Sequence, residues 1–344
     1  MKYKVVSFGE IMLRLSTKGF TRFVQAHGFD ATYGGGEANV AVSLANYGME
    51  SFFVTKLPNH EIGQSAVNHL RRFGVNTDYI VRGGERIGIY FLETGISQRP
   101  SKVVYDRANS AIAGIKKGDI EWTNVFENTK WFHWTGITPA IGQDAREVLT
   151  DACIVAKKMG VTISCDLNFR AKMWTEKEAQ SVMIPLMEYV DVCIANEEDA
   201  EKSLGLKAGK TNVEKGQIDQ EAYFLVAQTL KQKYNFDSVA FTLREIYSAS
   251  KNGWSALLLD NKDCYAPYRS KKYDIEVVDR VGGGDSFASG LIYGLLNKSN
   301  TKEALEFAVA ASCLKHSIPG DFNLVSIDEV EKLMKSGGSG RVER

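Results

Sequence analysis

The stretch VVDRVGGGDSFASGL, residues 277–291, sets three consecutive glycines between two aspartates and then runs into apolar and small residues. Apolar positions in SFASGLIYGLL, residues 286–296, recur at helical spacing, so Asp285 falls at or beside a helix start. Glycine weakens regular structure, and three together signal a need for bare backbone. Gly282, Gly283 and Gly284 would present N–H groups beside the positive end of the helix dipole, an arrangement that binds anions and most often phosphate. Neither familiar glycine fingerprint fits: there is no G-x-x-x-x-G-K-[ST], and neither GGGEAN nor VGGGDS satisfies G-x-G-x-x-G. A carboxylate repels phosphate, so Asp285 among anion-binding amides requires a purpose. A general base that takes the proton of an attacking hydroxyl supplies one. The competing reading is an aspartate that merely caps a helix after a glycine turn.

Outward from this stretch, short apolar runs alternate with amphipathic ones. Strand candidates are YKVVSFG, SFFVTKL, WFHWTG, VTISCDLN, DVCIAN and SVAFTL, with helical spacing over 37–48, 61–73, 143–158, 176–188 and 219–234. This alternation predicts an α/β fold with a mostly parallel sheet covered on both faces, and the continuously apolar runs suit strands buried on both sides. Residues 10–36 and 78–107 break the rhythm, reading as strands and turns without helices. They form either a small antiparallel sheet standing apart as a lid or ordinary insertions. The polar, glycine-rich end, residues 336–344, reads as a loosely held tail after one domain spanning 1–335.

Composition narrows the classes. The 42 basic and 42 acidic residues cancel and no basic run stands out, which argues against a nucleic-acid partner. The longest apolar runs fall far short of a membrane span, and Glu10 interrupts the only apolar stretch near the start, which argues against a secretory signal. Five widely spaced cysteines without a C-x-x-C pair predict free thiols in a reduced, cytoplasmic protein. The five histidines show no ligand spacing.

The segment DRVGGGD resembles the DTxGAGD signature of the ribokinase-like carbohydrate kinases, the PfkB family, with Asp279, Gly282, Gly284 and Asp285 matching and Gly283 in place of alanine. The resemblance implies a three-layer α/β/α domain with a β-sheet lid, Asp285 as base, and Gly282, Gly283 and Gly284 as the anion hole. GGGEANVAVSLANYG resembles the family's N-terminal pattern, which brings Gly34, Gly35 and Asn39 to the sugar. ANEEDA resembles the N-x-x-E motif associated with magnesium and the nucleotide phosphates. Asn196 matches, while Asp199 replaces glutamate and implies water-mediated contact with Mg²⁺. Thr242 matches a T-x-G nucleotide motif, but Arg244 stands where glycine is expected. ATP and Mg²⁺ are therefore implied, with Asp279 structural or near a monovalent-cation loop.

Within the family, Tyr90, Tyr105-x-Arg107 and, in DLNFR, Asn168 and Arg170 resemble the branch acting on 2-keto-3-deoxygluconate. Arg14 in GEIMLRLS points the same way, since many neutral-sugar relatives carry an aspartate there. Two arginines near one pocket exceed what a neutral sugar needs, and their planar forks match a carboxylate. The implied reaction is phosphorylation of the C6 hydroxyl of a sugar acid. The division of labour between Arg107 and Arg170 stays open, as does a fructokinase or other sugar kinase. A non-catalytic binding regulator is disfavoured by the presence of Asp285. Ile89, Phe91 and Val103 on the lid suggest pairing of two copies through its outer face, although core packing explains them equally well.

Overall fold

A computed structural model describes residues 2–206, 220–261 and 267–336. All of the expected tail but Ser336, the first residue of the 219–234 helix and Cys264 lie outside the described residues. The strands in chain order are β1 (Lys4–Phe8), β2 (Met12–Ser16), β3 (Asp30–Gly34), β4 (Glu50–Val54), β5 (Lys56–Leu57), β6 (Val81–Arg82), β7 (Ile89–Glu93) and β8 (Lys102–Asp106). They continue as β9 (Thr129–Thr135), β10 (Thr162–Asp166), β11 (Val192–Ala195), β12 (Ser238–Ile246), β13 (Lys251–Asp260), β14 (Tyr268–Arg269) and β15 (Tyr273–Glu276).

The main sheet runs β14-β13-β12-β11-β10-β9-β1-β4, with β15 also on β13. From β4 to β12 every pairing is parallel, and β13 turns the far edge antiparallel. Neighbouring side chains on β1 go to opposite faces. Val6 joins a core with the helix Gln143–Lys158, and Val5 joins the other with the helices Gly36–Asn46, Gly283–Asn297 and Thr301–Lys315. Burial on both faces is why these strands read as unbroken apolar runs.

The two irregular stretches do make a separate sheet, ordered β3-β2-β7-β8, so the lid reading holds over ordinary insertions. It is not wholly antiparallel: β2 and β7 run parallel. The helices Gly36–Asn46 and Glu61–Arg72 lie between them in the chain, and such a crossover returns a strand in the same direction. Register puts Arg14 beside Tyr90, Tyr90 beside Tyr105, and Leu92 beside Val103 on one face. Val103 therefore belongs to the inner face, packed on Met12, Tyr90 and Leu92, and not to the outer face that its apolar pattern suggested. Ile89, Phe91 and Val104 face outward, Val104 half-exposed and Phe91 packed edge-on against Phe29.

Candidate active site

The helix Gly283–Asn297 begins where the glycines predict, with Gly282 as its N-cap at φ +80° and Asp285 in its first turn. A Cβ on Gly282 would lie 2.0 Å from the Asp321 carbonyl oxygen, so both space and backbone angle demand glycine. A Cβ on Gly284 meets nothing within 4 Å, which leaves its backbone facing open cavity. Gly282, Gly283, Gly284 and Asp285 line a cavity of about 350 Å³ together with Gly35, Asn39, Tyr90, Tyr105, Arg107, Asn168, Arg170, Asn196, Asp199 and Thr242. One predicted contact is displaced by a turn residue. Gly34 does not line the cavity, because it is packed against the Asp321 carboxylate, whereas Gly36 does line it and lies against Asp285.

Asn39 donates from Nδ2 to Asp285 Oδ2 at 2.6 Å, and its Oδ1 accepts from Gly35 N at 3.2 Å, which fixes the amide's orientation. Burial raises the Asp285 pKa to about 6, against the opposing pull of Asn39 and of Arg170's charge. A carboxyl tuned near neutrality suits a general base. The cap-only reading of Asp285 fails on geometry, since Gly282 is the N-cap and the described hydrogen bond of Asp285 goes to Asn39.

At the C-terminal edge of β10, Asp166 lines the cavity, and the chain then turns through Asn168 at φ +38°. Burial, then the charges of Asp199 and Asp285, push the Asp166 pKa well above the usual carboxylate range. Asn196 caps the helix Glu197–Leu204. Asp199 accepts Phe169 N at 2.9 Å on one oxygen and Asn196 N at 3.3 Å on the other, so backbone donors already engage both. Thr242 and Arg244 stand on β12, with the Arg244 guanidinium 5.0 Å from the centre of the Trp254 ring. That cation–π contact fills the place where the motif expects glycine.

On the lid side Arg107 pairs with buried Glu10, which also accepts from Ser110 Oγ at 2.7 Å. The Tyr105 ring lies 6.0 Å from Tyr90 and 5.7 Å from the Arg107 guanidinium. Tyr90 contributes its ring to the cavity, but its hydroxyl donates to Asp321 at 2.6 Å. Arg14, which the sequence offered only as a branch marker, turns out to be structural. It lies outside the cavity lining, holding Asp321 at 2.6 Å and Asp279 at 2.5 Å, with its Nε on Ser16 at 2.7 Å. Burial opposes its charge, yet the two carboxylates outweigh that and raise its pKa. Its sequence position marked only the branch it resembles, and its partners make it a strut. Asp279 also accepts from the amides of Val281 and Gly320, a structural role. His133 on β9 is buried against Ser164, kept neutral by burial that lowers its pKa to about 3, and does not line the cavity.

Sequence reasoning missed Gly36, Asp166, Glu10, Arg280 and Asp321. Glu10 did carry a signal, as a lone acid in an apolar strand region. Asp321 follows Pro-Gly, and only the fold brings it to Arg14 and Tyr90.

Residues 2–324 match the description pfkB family carbohydrate kinase. A 2-dehydro-3-deoxygalactonokinase of Haloferax volcanii is 28% identical over 340 residues, covering 99% of each chain. A 2-dehydro-3-deoxygluconokinase of Bacillus subtilis is 26% identical, over 94% of this chain and 92% of its own. Among solved structures, 2-dehydro-3-deoxygluconokinase of Thermotoga maritima is 55% identical with a TM-score of 0.93, over 97% of this chain and 100% of its own. With an Asp285 carboxylate set against bare amides between a parallel α/β sheet and a β lid, the chain belongs to the pfkB family of carbohydrate kinases.

Proposed function

We propose that this protein transfers the γ-phosphoryl group of ATP to the C6 hydroxyl of 2-keto-3-deoxygluconate, the 2-dehydro-3-deoxygluconate of the Thermotoga protein's name, giving 2-keto-3-deoxy-6-phosphogluconate. The observation that carries this is one cavity lined by a tuned base, bare amides and four arginines, Arg107 and Arg170 among them. Asp285 takes the C6 hydroxyl proton as the oxygen forms its bond to phosphorus, and the bond to the ADP oxygen breaks in line. The amides of Gly282, Gly283 and Gly284 hold the charge of the moving group. Arg170, in the electrostatic field of Asp285, Asp166 and Asp199, steadies that phosphate. Arg107, aimed by Glu10 and flanked by Tyr105, holds the substrate carboxylate. Asn39 orients the base, and Gly35, Tyr90 and Asn168 shape the sugar's walls. Thr242, Asn196 and Arg244 line the cavity on the β11–β12 side, toward the nucleotide.

Mg²⁺ fits the acids present. Asp166 and Asp199 are buried together with raised pKa values, a concentration of negative charge that a divalent cation relieves. Among the described residues no three acids, histidines or cysteines converge to chelate an ion directly. Asp166, and Asp199 through water, would hold it alongside the phosphates. When bound it would neutralise the β- and γ-phosphate oxygens.

Residues 1–335 act as one catalytic unit, closed by the lid. The outward Ile89, Phe91 and Val104 suit pairing with a second copy. The buried free thiols Cys153, Cys165 and Cys193 suit the reducing cytoplasm. Among the described residues no helix is long and apolar enough to cross a membrane. The test is ATP consumption with and without Mg²⁺ on 2-keto-3-deoxygluconate, its galacto epimer, fructose, ribose and gluconate. Turnover confined to the keto-deoxy acids supports the reading. Preference for fructose or ribose refutes the carboxylate assignment and keeps the kinase.

A further inference from the structure

Lys315, the last residue of the helix Thr301–Lys315, is fully buried, although lysine ordinarily extends its ammonium to water. No carboxylate oxygen lies within 4.0 Å of it among the described ion pairs. Its Nζ instead donates to two backbone carbonyls, Ile318 O at 3.2 Å and Asp279 O at 3.5 Å. Both carbonyls belong to segments tied to the anion-hole loop. Asp279 opens that loop, its amide and that of Val278 donate to His316 O, and Ser312 Oγ donates to Gly283 O at 2.6 Å. The Lys315 Cε lies 3.3 Å from where a Cβ on Gly282 would stand, so the ammonium stem passes directly behind the helix N-cap.

Charge balance gives the group a task. Asp279 and Asp321 share a single guanidinium, that of Arg14, which leaves this buried cluster short of one positive charge. Lys315 supplies it. Burial lowers its pKa, while Asp279, Asp321 and Asp285 oppose the loss of its proton. The position at a helix C-terminus favours a cation as well.

We propose that Lys315 is a built-in monovalent cation: its ammonium takes the carbonyl oxygens behind the Gly282–Gly284 loop that a free potassium ion would otherwise take, holds those amides toward the transferring phosphate, and frees the reaction from any dissolved monovalent ion. An ammonium group and a potassium ion are of nearly equal size, and both bind carbonyl oxygens. A tethered ammonium is always beside these carbonyls, whereas a dissolved ion must be captured from solution. The sequence-based expectation of a monovalent-cation loop near Asp279 is thereby redirected: the loop is present and its cation is covalent. Lys315 is on this account a positioning residue, and the role rests on the kinase reading above but not on the choice of sugar.

The experiment measures kcat and the ATP KM of the full chain in Mg²⁺ buffers whose only monovalent cation is tetramethylammonium, then with added K⁺ or methylammonium. Each rate is read on whichever acceptor the protein phosphorylates, with slow ATP hydrolysis as the acceptor-free reading, so a wrong sugar does not disturb the test. Unmodified protein is expected to change by less than about two-fold between the buffers. K315A is expected to lose about ten-fold or more in kcat in tetramethylammonium, on the scale of removing an oxyanion-hole donor, and to regain most of it in K⁺ or methylammonium. K315M, which fills the space with an apolar chain, is expected to lose as much and regain nothing. Dependence of the unmodified protein on K⁺ overturns the proposal, and so does a folded K315A that keeps full kcat or that no cation restores. Should K315A fail to fold, the ion independence of the unmodified protein and the K315M profile decide the matter.

Discussion

At the Gly282–Asp285 end of the cavity the polar groups hold one another in a buried network, whereas the lid end leaves more of its surface exposed. Asp285 is held by Asn39, Gly282 is wedged against Asp321, and Asp279 and Asp321 draw the buried lid residues Arg14 and Tyr90 into the same network. Across the cavity Tyr105 is 38% exposed, and Arg107, paired with Glu10 and donating to Met173 Sδ at 3.3 Å, still lines the cavity. The contrast separates two tasks. Charge developing during transfer needs groups that do not move, because fixed dipoles cost nothing to reorient. Capture of a substrate needs a surface it can reach, and a thin sheet with an exposed face suits that.

Removing the base at the rigid end has the largest expected effect. Asp285→Asn should lower kcat by about 10²–10⁴-fold, the usual worth of a general base, with circular dichroism unchanged. The same variant should be the more stable protein at pH 8. The folded pKa of about 6 lies above the ordinary value of 3.8, so the stability this group contributes is present below about pH 4 and lost as pH rises through 6. Asparagine escapes that loss, a gain of roughly 2–3 kcal/mol that thermal melts at pH 8 should show and melts at pH 4 should not. Equal melting temperatures at both values would mean that Asp285 is not the strained group described.

The pH profile sharpens the same point. Below about 6 the base is protonated, so kcat/KM should fall roughly ten-fold per pH unit, and a flat profile down to pH 5 would remove Asp285 from proton transfer. At the lid end, Arg107→Met should raise the KM for the sugar acid about 10- to 100-fold, the worth of a charge-assisted hydrogen bond, while leaving kcat within a few-fold. A fall in kcat at constant KM would move Arg107 to the phosphate and Arg170 to the carboxylate.

Two glycines two positions apart test rigidity directly. Gly282→Ala should cost at least about 1–3 kcal/mol in denaturant midpoint from its left-handed backbone, before the clash with Asp321 is counted. Gly284→Ala, with open space around it, should leave stability within about 0.5 kcal/mol and lower kcat instead. The smallest effect belongs to the outer lid. Val104→Asp should leave kcat within about two-fold, because a surface change away from caps and core costs little. If two copies pair through this face, sedimentation will show the variant as a monomer.

Much of the site was legible because it was local. VVDRVGGGDSFASGL carries its own helix start, its own glycine turn and its own acid, so sequence distance and spatial distance nearly coincide there. The partners of Arg14 were illegible for the opposite reason. Asp279 and Asp321, which consume its guanidinium, lie 265 and 307 residues away. Tyr90 was placed correctly at the cavity, and the same Asp321 claimed its hydroxyl. Gly34 ends β3 and Gly36 opens the next helix, a strand-to-helix boundary too fine for spacing to place. The parallel β2–β7 pairing was hidden because alternation in polarity reports which face a strand shows and not the direction of its neighbour.

By itself, then, the sequence determined the parallel α/β body, the separate lid, the glycine turn and the acid that follows it at the helix start, since periodicity and turn chemistry are properties of consecutive residues. Tertiary structure alone decided which charged groups are spent on one another and which are left for a ligand. Pairing is a short-range force between side chains, and the distances that govern it exist only once the chain has folded.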